Sequence, residues 1–198
     1  YIVVGSYDDK IYLFDKDSST SLWSYSTGGD VYSVAISADG EYIAAGSDDD
    51  KVYLFDKDSS TPLWSYSTGG DVNSVAISAD GEYIAAGSGD NKVYLFDKDS
   101  STPLWSYATA DADMRTVAIS SDGEYIIVGS DNGFVYFFNK ASSTPLWSKD
   151  VDTDATSVSI SADGEYIVAG GLASNAYLFN KDGSRIRTYS LDCVWVRS

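Results

Sequence analysis

The chain says nearly the same thing twice. Gly40 to Tyr66 reads GEYIAAGSDDDKVYLFDKDSSTPLWSY, and Gly81 to Tyr107 reads GEYIAAGSGDNKVYLFDKDSSTPLWSY, with two letters changed. A Tyr-Ile-small-small-Gly phrase recurs five times, beginning at Tyr1, Tyr42, Tyr83, Tyr125 and Tyr166. A Leu-Trp-Ser phrase ends four of the copies, at Trp23, Trp64, Trp105 and Trp147. The spacing is about 41 residues, with one extra residue before Val117. A fixed period of this length limits the fold to stacked supersecondary units, each of which needs a neighbour to bury its apolar surface.

Residues 72–109 show what one unit is. VNSVAIS alternates Val75 and Ile77 with small residues and reads as a strand, with ADG as the turn after it. EYIAAGS is a second strand and GDN a second turn. KVYLFDK is a third strand, DSSTP a loop and LWSYAT a fourth strand. No window has a helical period. Proline stands only at Pro62, Pro103 and Pro145, all at the same loop site, where a missing donor does no harm. A four-stranded meander with apolar residues on both faces is buried by radial stacking, which predicts an all-β fold, a β-propeller.

The expected organisation is a single domain, 1–198, with repeats near 1–30, 31–71, 72–112, 113–154 and 155–189. A closing strand is expected at 190–198, because Val194 and Val196 match Val75 and Ile77. Pairing of that strand with Tyr1–Ser6 would give five closed blades and a monomer. The alternative is a piece of a longer propeller, which would stay open or oligomerise. The near-identity of the second and third copies points to recent duplication or to a repeat-amplified chain with no evolved ligand.

The stretch VAISADGEYIAAGSDDDKVYLFD resembles a WD-repeat blade. VYLFDKDSSTPLW followed by GG resembles the quinoprotein-type, PQQ-like repeat, which carries a tryptophan in its outer strand. The WD dipeptide position holds Phe14-Asp15, Phe55-Asp56, Phe96-Asp97, Phe138-Asn139 and Phe179-Asn180, and the chain has no histidine. The histidine-centred network of WD repeats is therefore impossible here, and nothing singles out a quinone site. The resemblance implies that the Val75-type strand lies innermost and the Trp64-type strand outermost. It specifies fold far better than function.

Net charge is −17, which repels phosphate backbones and makes nucleic acid and anionic membranes unsuitable partners. Lack of histidine removes the usual general base and the Ser-His-Asp and Cys-His arrangements. Cys193 is the only cysteine and reads as a small buried hydrophobe. Carboxylates such as Asp48, Asp49, Asp50, Asp111 and Asp113 fall in turns expected to be exposed, where no tuned acid–base pair should arise. Glu41, Glu82, Glu124 and Glu165 share one turn position and read as structural. No enzyme and no cofactor are expected. DVDTDAT offers a weak calcium candidate, Asp150, Asp152 and Asp154, but lacks the glycine and the glutamate of a calcium loop.

The repeats are so alike that their differences are informative. Two residues before the aligned valines Val34, Val75, Val117, Val158 and Val194 stand Tyr32, Asn73, Arg115, Thr156 and Asp192. The turn between second and third strands varies as well, at Tyr7, Asp48, Gly89, Asp131 and Leu172, and at Lys10, Lys51, Lys92, Phe134 and Asn175. The turns of the opposite end, SADGE and DKDSST, are nearly uniform. Variation on one rim of a rigid scaffold suggests a binding surface there. The candidate ligand-binding residues are Tyr7, Tyr32, Asn73, Arg115, Phe134, Thr156 and Asp192. The expected function is a non-enzymatic module binding a peptide or protein. The alternatives are a lectin with glycan sites between blades and, more remotely, a glycan hydrolase.

Overall fold

The computed structural model describes residues 1–172 and 175–190. All its regular elements are β-strands, in five antiparallel sheets taken in chain order. The first sheet holds β1 (Ile2–Ser6), β2 (Lys10–Phe14) and β3 (Ser21–Ser26). The second holds β4 (Val31–Ile36), β5 (Tyr42–Ser47), β6 (Lys51–Asp56) and β7 (Trp64–Ser67). The third holds β8 (Val72–Ile77), β9 (Tyr83–Ser88), β10 (Lys92–Asp97) and β11 (Trp105–Ala108). The fourth holds β12 (Met114–Ile119), β13 (Tyr125–Ser130), β14 (Phe134–Asn139) and β15 (Trp147–Asp150). The fifth holds β16 (Ala155–Ile160), β17 (Tyr166–Gly171), β18 (Asn175–Asn180) and β19 (Arg185–Ser190).

Each sheet is a meander whose strands pair in sequence order, and together they form a five-bladed β-propeller. β4, β8, β12 and β16 neighbour one another and are the inner strands. Hydroxyls tie them together around the axis. Ser33 Oγ accepts from the Val75 amide at 3.0 Å, and Ser74 Oγ from the Val117 amide at 3.1 Å. The tryptophan strands lie at the outside of each blade, as the resemblance implied.

The hydrophobic core lies between blades. Each of the first four blades presses a leading face onto the trailing face of the next. Between the second and third blades, Ala44, Val52 and Leu54 meet Ile84, Ala86, Tyr94 and Phe96. The other three contacts repeat this pattern. Trp64 caps the contact. Its ring lies 5.2 Å from that of Phe96, and its Nε1 donates to Lys98 O at 2.7 Å. Trp23, Trp105 and Trp147 make the equivalent bonds to Lys57, Lys140 and Lys181. An indole half-buried against the next blade gains by such an acceptor.

Close approach sets the glycines of the second strands. A Cβ on Gly46 would sit 2.5 Å from Val72 Cγ1 and 2.9 Å from Val72 O, so only glycine lets the next inner strand pack.

The closing strand expected at 190–198 falls outside the described residues, except that Ser190 ends the outer strand β19. Cys193 and Asp192 fall outside them too. Among the described residues, no buried cluster joins the fifth blade to the first. No helix among them is long and apolar enough to cross a membrane.

Candidate functional site

The two ends of the blades are built differently. At one end lie the turns between first and second strands. Each is fixed by a serine–aspartate pair: Ser78 Oγ donates to Asp80 Oδ1 at 2.6 Å, and the Glu82 amide donates to the same oxygen at 3.1 Å. Gly81 follows at φ +75°, in the left-handed region that favours glycine. These turns also bond to each other. The amides of Ala38, Ala79 and Ser121 donate to the carbonyls of Ala79, Ser121 and Ala162, each at 3.0 Å. The uniformity of the SADGE turns thus has a mechanical cause: they form a belt from blade to blade. Lys57 pairs with Glu41 at 3.3 Å and Lys98 with Glu82 at 3.5 Å, which gives the repeated glutamates a structural partner.

At the other end lie the turns between second and third strands and the links between blades. Here the sequence reading needs correcting. Asp49 was expected in an exposed turn, yet its side chain and that of its counterpart Asp90 are only 6% and 7% exposed. Asp49 accepts from the Tyr53 hydroxyl at 2.5 Å and from the Gly28 amide at 2.9 Å. Asp90 accepts from the Tyr94 hydroxyl and, at 3.1 Å, from the Gly69 amide. Each aspartate therefore stitches its own third strand to the link arriving from the preceding blade. Burial raises the pKa of both, but these donors, with Lys51 and Lys92, outweigh it and hold both below the ordinary aspartate value. The signal was present in the sequence, because Asp8, Asp49, Asp90 and Asn132 all stand four residues before a tyrosine. In the fifth blade that register holds Ala173, and Tyr177 instead donates to Asp152, from the link before it. The calcium candidate is thereby divided. Asp152 serves Tyr177, and Asp150 accepts from the Asp152 amide at 2.8 Å. Among the described residues, no group of three or more acidic or cysteine side chains is placed to hold a metal ion.

The variable positions have a shared structural origin. Every described inner strand breaks register at one residue near its start, between Val31 and Ser33, Val72 and Ser74, Met114 and Thr116, and Ala155 and Ser157. The residues at the breaks are Tyr32, Asn73, Arg115 and Thr156. A β-bulge leaves one residue out of the ladder and re-aims its side chain. The position that differs most between repeats is the one the sheet constrains least.

The bulge residues do different things. Tyr32 is exposed and packs edge-on against Tyr7, ring centroids 6.1 Å apart at 83°. Its hydroxyl lies 3.4 Å from Asp48 Oδ2. Desolvation, then the charges of Asp48, Asp71 and Asp30, raise the Tyr32 pKa. Asp30 is itself raised, by desolvation and then by Asp48 and Asp9. Tyr32 therefore stands in a carboxylate-rich corner. Asn73 is half-buried and donates to Met114 O at 3.0 Å, bridging two inner strands. Arg115 is exposed between Asp131 at 3.2 Å and Asp113 at 3.5 Å. Thr156 is half-buried. Phe134 does not present the free stacking face expected of it. It is half-buried, packs on Tyr136 with centroids 6.2 Å apart and joins the core between the third and fourth blades. Among the described candidates, Tyr7, Tyr32 and Arg115 are exposed for contact.

These features define a propeller of PQQ-like repeats with one belted rim and one bulged rim. The model of the family described as outer membrane protein assembly factor BamB matches residues 1–121 and 70–192, and the chain belongs to that family. Comparison with curated proteins gives no match.

Proposed function

We propose that the protein is a non-enzymatic scaffold that binds a peptide or protein segment across the bulged rim. The observation that carries this reading is the row of register breaks. Four inner strands each lift one residue out of the ladder at the same end, and the four residues differ in size, charge and hydrogen-bonding capacity. Edge-on tyrosines and a guanidinium suit a segment with aromatic or amide groups. The carboxylates around Tyr32 favour a segment that carries basic residues. The family description names an assembly factor, which also favours a protein as partner. Asp49 and Asp90, held ionised, are acceptors and not acids for catalysis.

The test is an array of peptides and glycans probed with the labelled chain and with a Tyr32→Ala/Arg115→Ala variant. Peptide binding that weakens at least tenfold in the variant, about 1.4 kcal/mol, supports the rim. Sugar binding that survives the double change assigns recognition to sites between blades and overturns it.

A further inference from the structure

Three of the four contacts between consecutive blades place a tyrosine of the outer strand on two rings of the next blade. Tyr25 packs on Tyr53 and Phe55, Tyr66 on Tyr94 and Phe96, and Tyr107 on Tyr136 and Phe138, with centroids 5.2–5.7 Å apart. At the fourth contact that register, two residues after Trp147, holds Lys149. Lys149 is half-buried between exposed Ser148 and Asp150, so its side chain points inward as the tyrosines do. Trp147 still packs on Phe179 at 5.7 Å, but the second ring is missing.

The fifth blade departs from the others at the same place. Its link between third and outer strands is one residue shorter, and Arg185 stands opposite Phe179. The guanidinium lies over the Tyr177 ring, 5.8 Å from its centroid. Within the contact between the two blades, at the start of β19, is a crevice of about 340 Å³ lined by Lys149, Asp150, Phe179 and residues 183–185. Its carboxylates have donors of their own. Asp150 accepts from the Asp152 amide at 2.8 Å, and neighbouring Asp182 from the Ser184 amide at 2.8 Å. Its cations do not: among the described residues, neither Lys149 nor Arg185 forms an ion pair. Lys149 acts on Asp182 only through charge at longer range. Two cations at one crevice repel each other, and an anion between them turns that repulsion into attraction. Arginine offers an oxyanion a planar fork of donors and lysine a mobile point charge.

We propose that this crevice binds a small aromatic ring that carries an oxyanion. The ring takes the place that Tyr25, Tyr66 and Tyr107 fill at the other contacts, and the anion lies between Lys149 and Arg185. The volume suits a ligand of that size. This site is separate from the bulged rim and does not depend on what binds there.

The probe is phenyl phosphate, titrated into the full 198-residue chain and followed by calorimetry and by backbone amide resonances. Saturable binding is expected, with shifts centred on Lys149 and Arg185. Lys149→Tyr gives the fourth contact the ring of the other three and fills the crevice. It is expected to abolish binding while Tm holds or rises. Arg185→Gln removes a cation from an exposed position without filling the space, and should weaken binding about tenfold. Inorganic phosphate, which has no ring, should also bind about tenfold more weakly. The absence of saturable binding overturns the proposal. So do shifts centred on Arg115 instead, or binding that survives either substitution. Inorganic phosphate that binds as tightly as phenyl phosphate overturns the assignment of the ring.

Discussion

Replacing Tyr94 by phenylalanine tests whether the buried aspartates hold the blades together. The ring stays, with its stacking on Phe96 at 6.1 Å and its tilted contact with Tyr66 at 5.5 Å. Only the hydroxyl that donates to Asp90 is lost. Hydrogen bonds to a charged group contribute about 1.5–3 kcal/mol. Asp90 keeps the Gly69 amide at 3.1 Å, the Lys92 amide at 3.1 Å and the Lys92 ammonium at 3.3 Å, so about 2 kcal/mol is expected. For a chain of this size that lowers Tm by roughly 4–8 °C. The effect has a pH signature. The folded pKa of Asp90 lies below its unfolded value, so its contribution is complete above the unfolded pKa of about 3.9 and is lost as pH falls through the folded pKa. The cost of Tyr94→Phe should therefore shrink on acidification below pH about 4. The fourth blade supplies the control. There Tyr136 accepts a bond from the neutral amide of Asn132 at 2.9 Å, so Tyr136→Phe should cost about 1 kcal/mol with no acid dependence. Urea unfolding of the three proteins at pH 7 and pH 3 measures this. Equal costs for the two substitutions, or a Tyr94→Phe cost that does not change with pH, would refute the reasoning.

Two further substitutions probe the blade contacts. Trp105→Phe keeps a ring against Phe138, now centred 5.3 Å away, but removes the 2.7 Å bond to Lys140 O. A loss of about 1–2 kcal/mol is expected in denaturant unfolding; no loss would mean that this carbonyl is satisfied without the indole. Gly46→Ala drives a methyl to 2.5 Å from Val72 Cγ1 and 2.9 Å from Val72 O, so the next inner strand must shift, at a cost of about 1–3 kcal/mol. Hydrogen exchange should then speed up in β8 more than in β6, and equal protection in both would contradict the close-approach account.

Much of the blade was legible because its determinants are local. Alternation, turn residues and the fixed period place all four strands of a repeat, and the predicted fourth strand LWSYAT holds the observed β11. The tryptophans were also readable, since an amphipathic ring repeated in register on an outer strand has one place to go. Asp49 was misread for a physical reason. Asp48, Asp49 and Asp50 are the same residue type in one run, and what selects Asp49 for burial is its spacing to Tyr53 together with the incoming Gly28 amide, twenty-one residues away. Phe134 was misread for the opposite reason. It replaces a lysine at a rim position, but a phenyl ring gains more by folding onto Tyr136 and the blade contact than by facing water.

The bulges explain why one chain can be so repetitive and still carry a distinctive surface. A residue inside the ladder answers to two strands and to the neighbouring blade, so duplication preserves it. A bulge residue lies outside the ladder, and here it changes from tyrosine to asparagine to arginine to threonine while the residue after it stays serine or threonine in all four strands. That serine is the hydroxyl that ties Ser33 to Val75 and Ser74 to Val117. One residue fixes the axis and its neighbour is released from the sheet. The scaffold and the candidate recognition surface are thus separated by a single peptide bond, which lets the rim diversify without loosening the ring of inner strands.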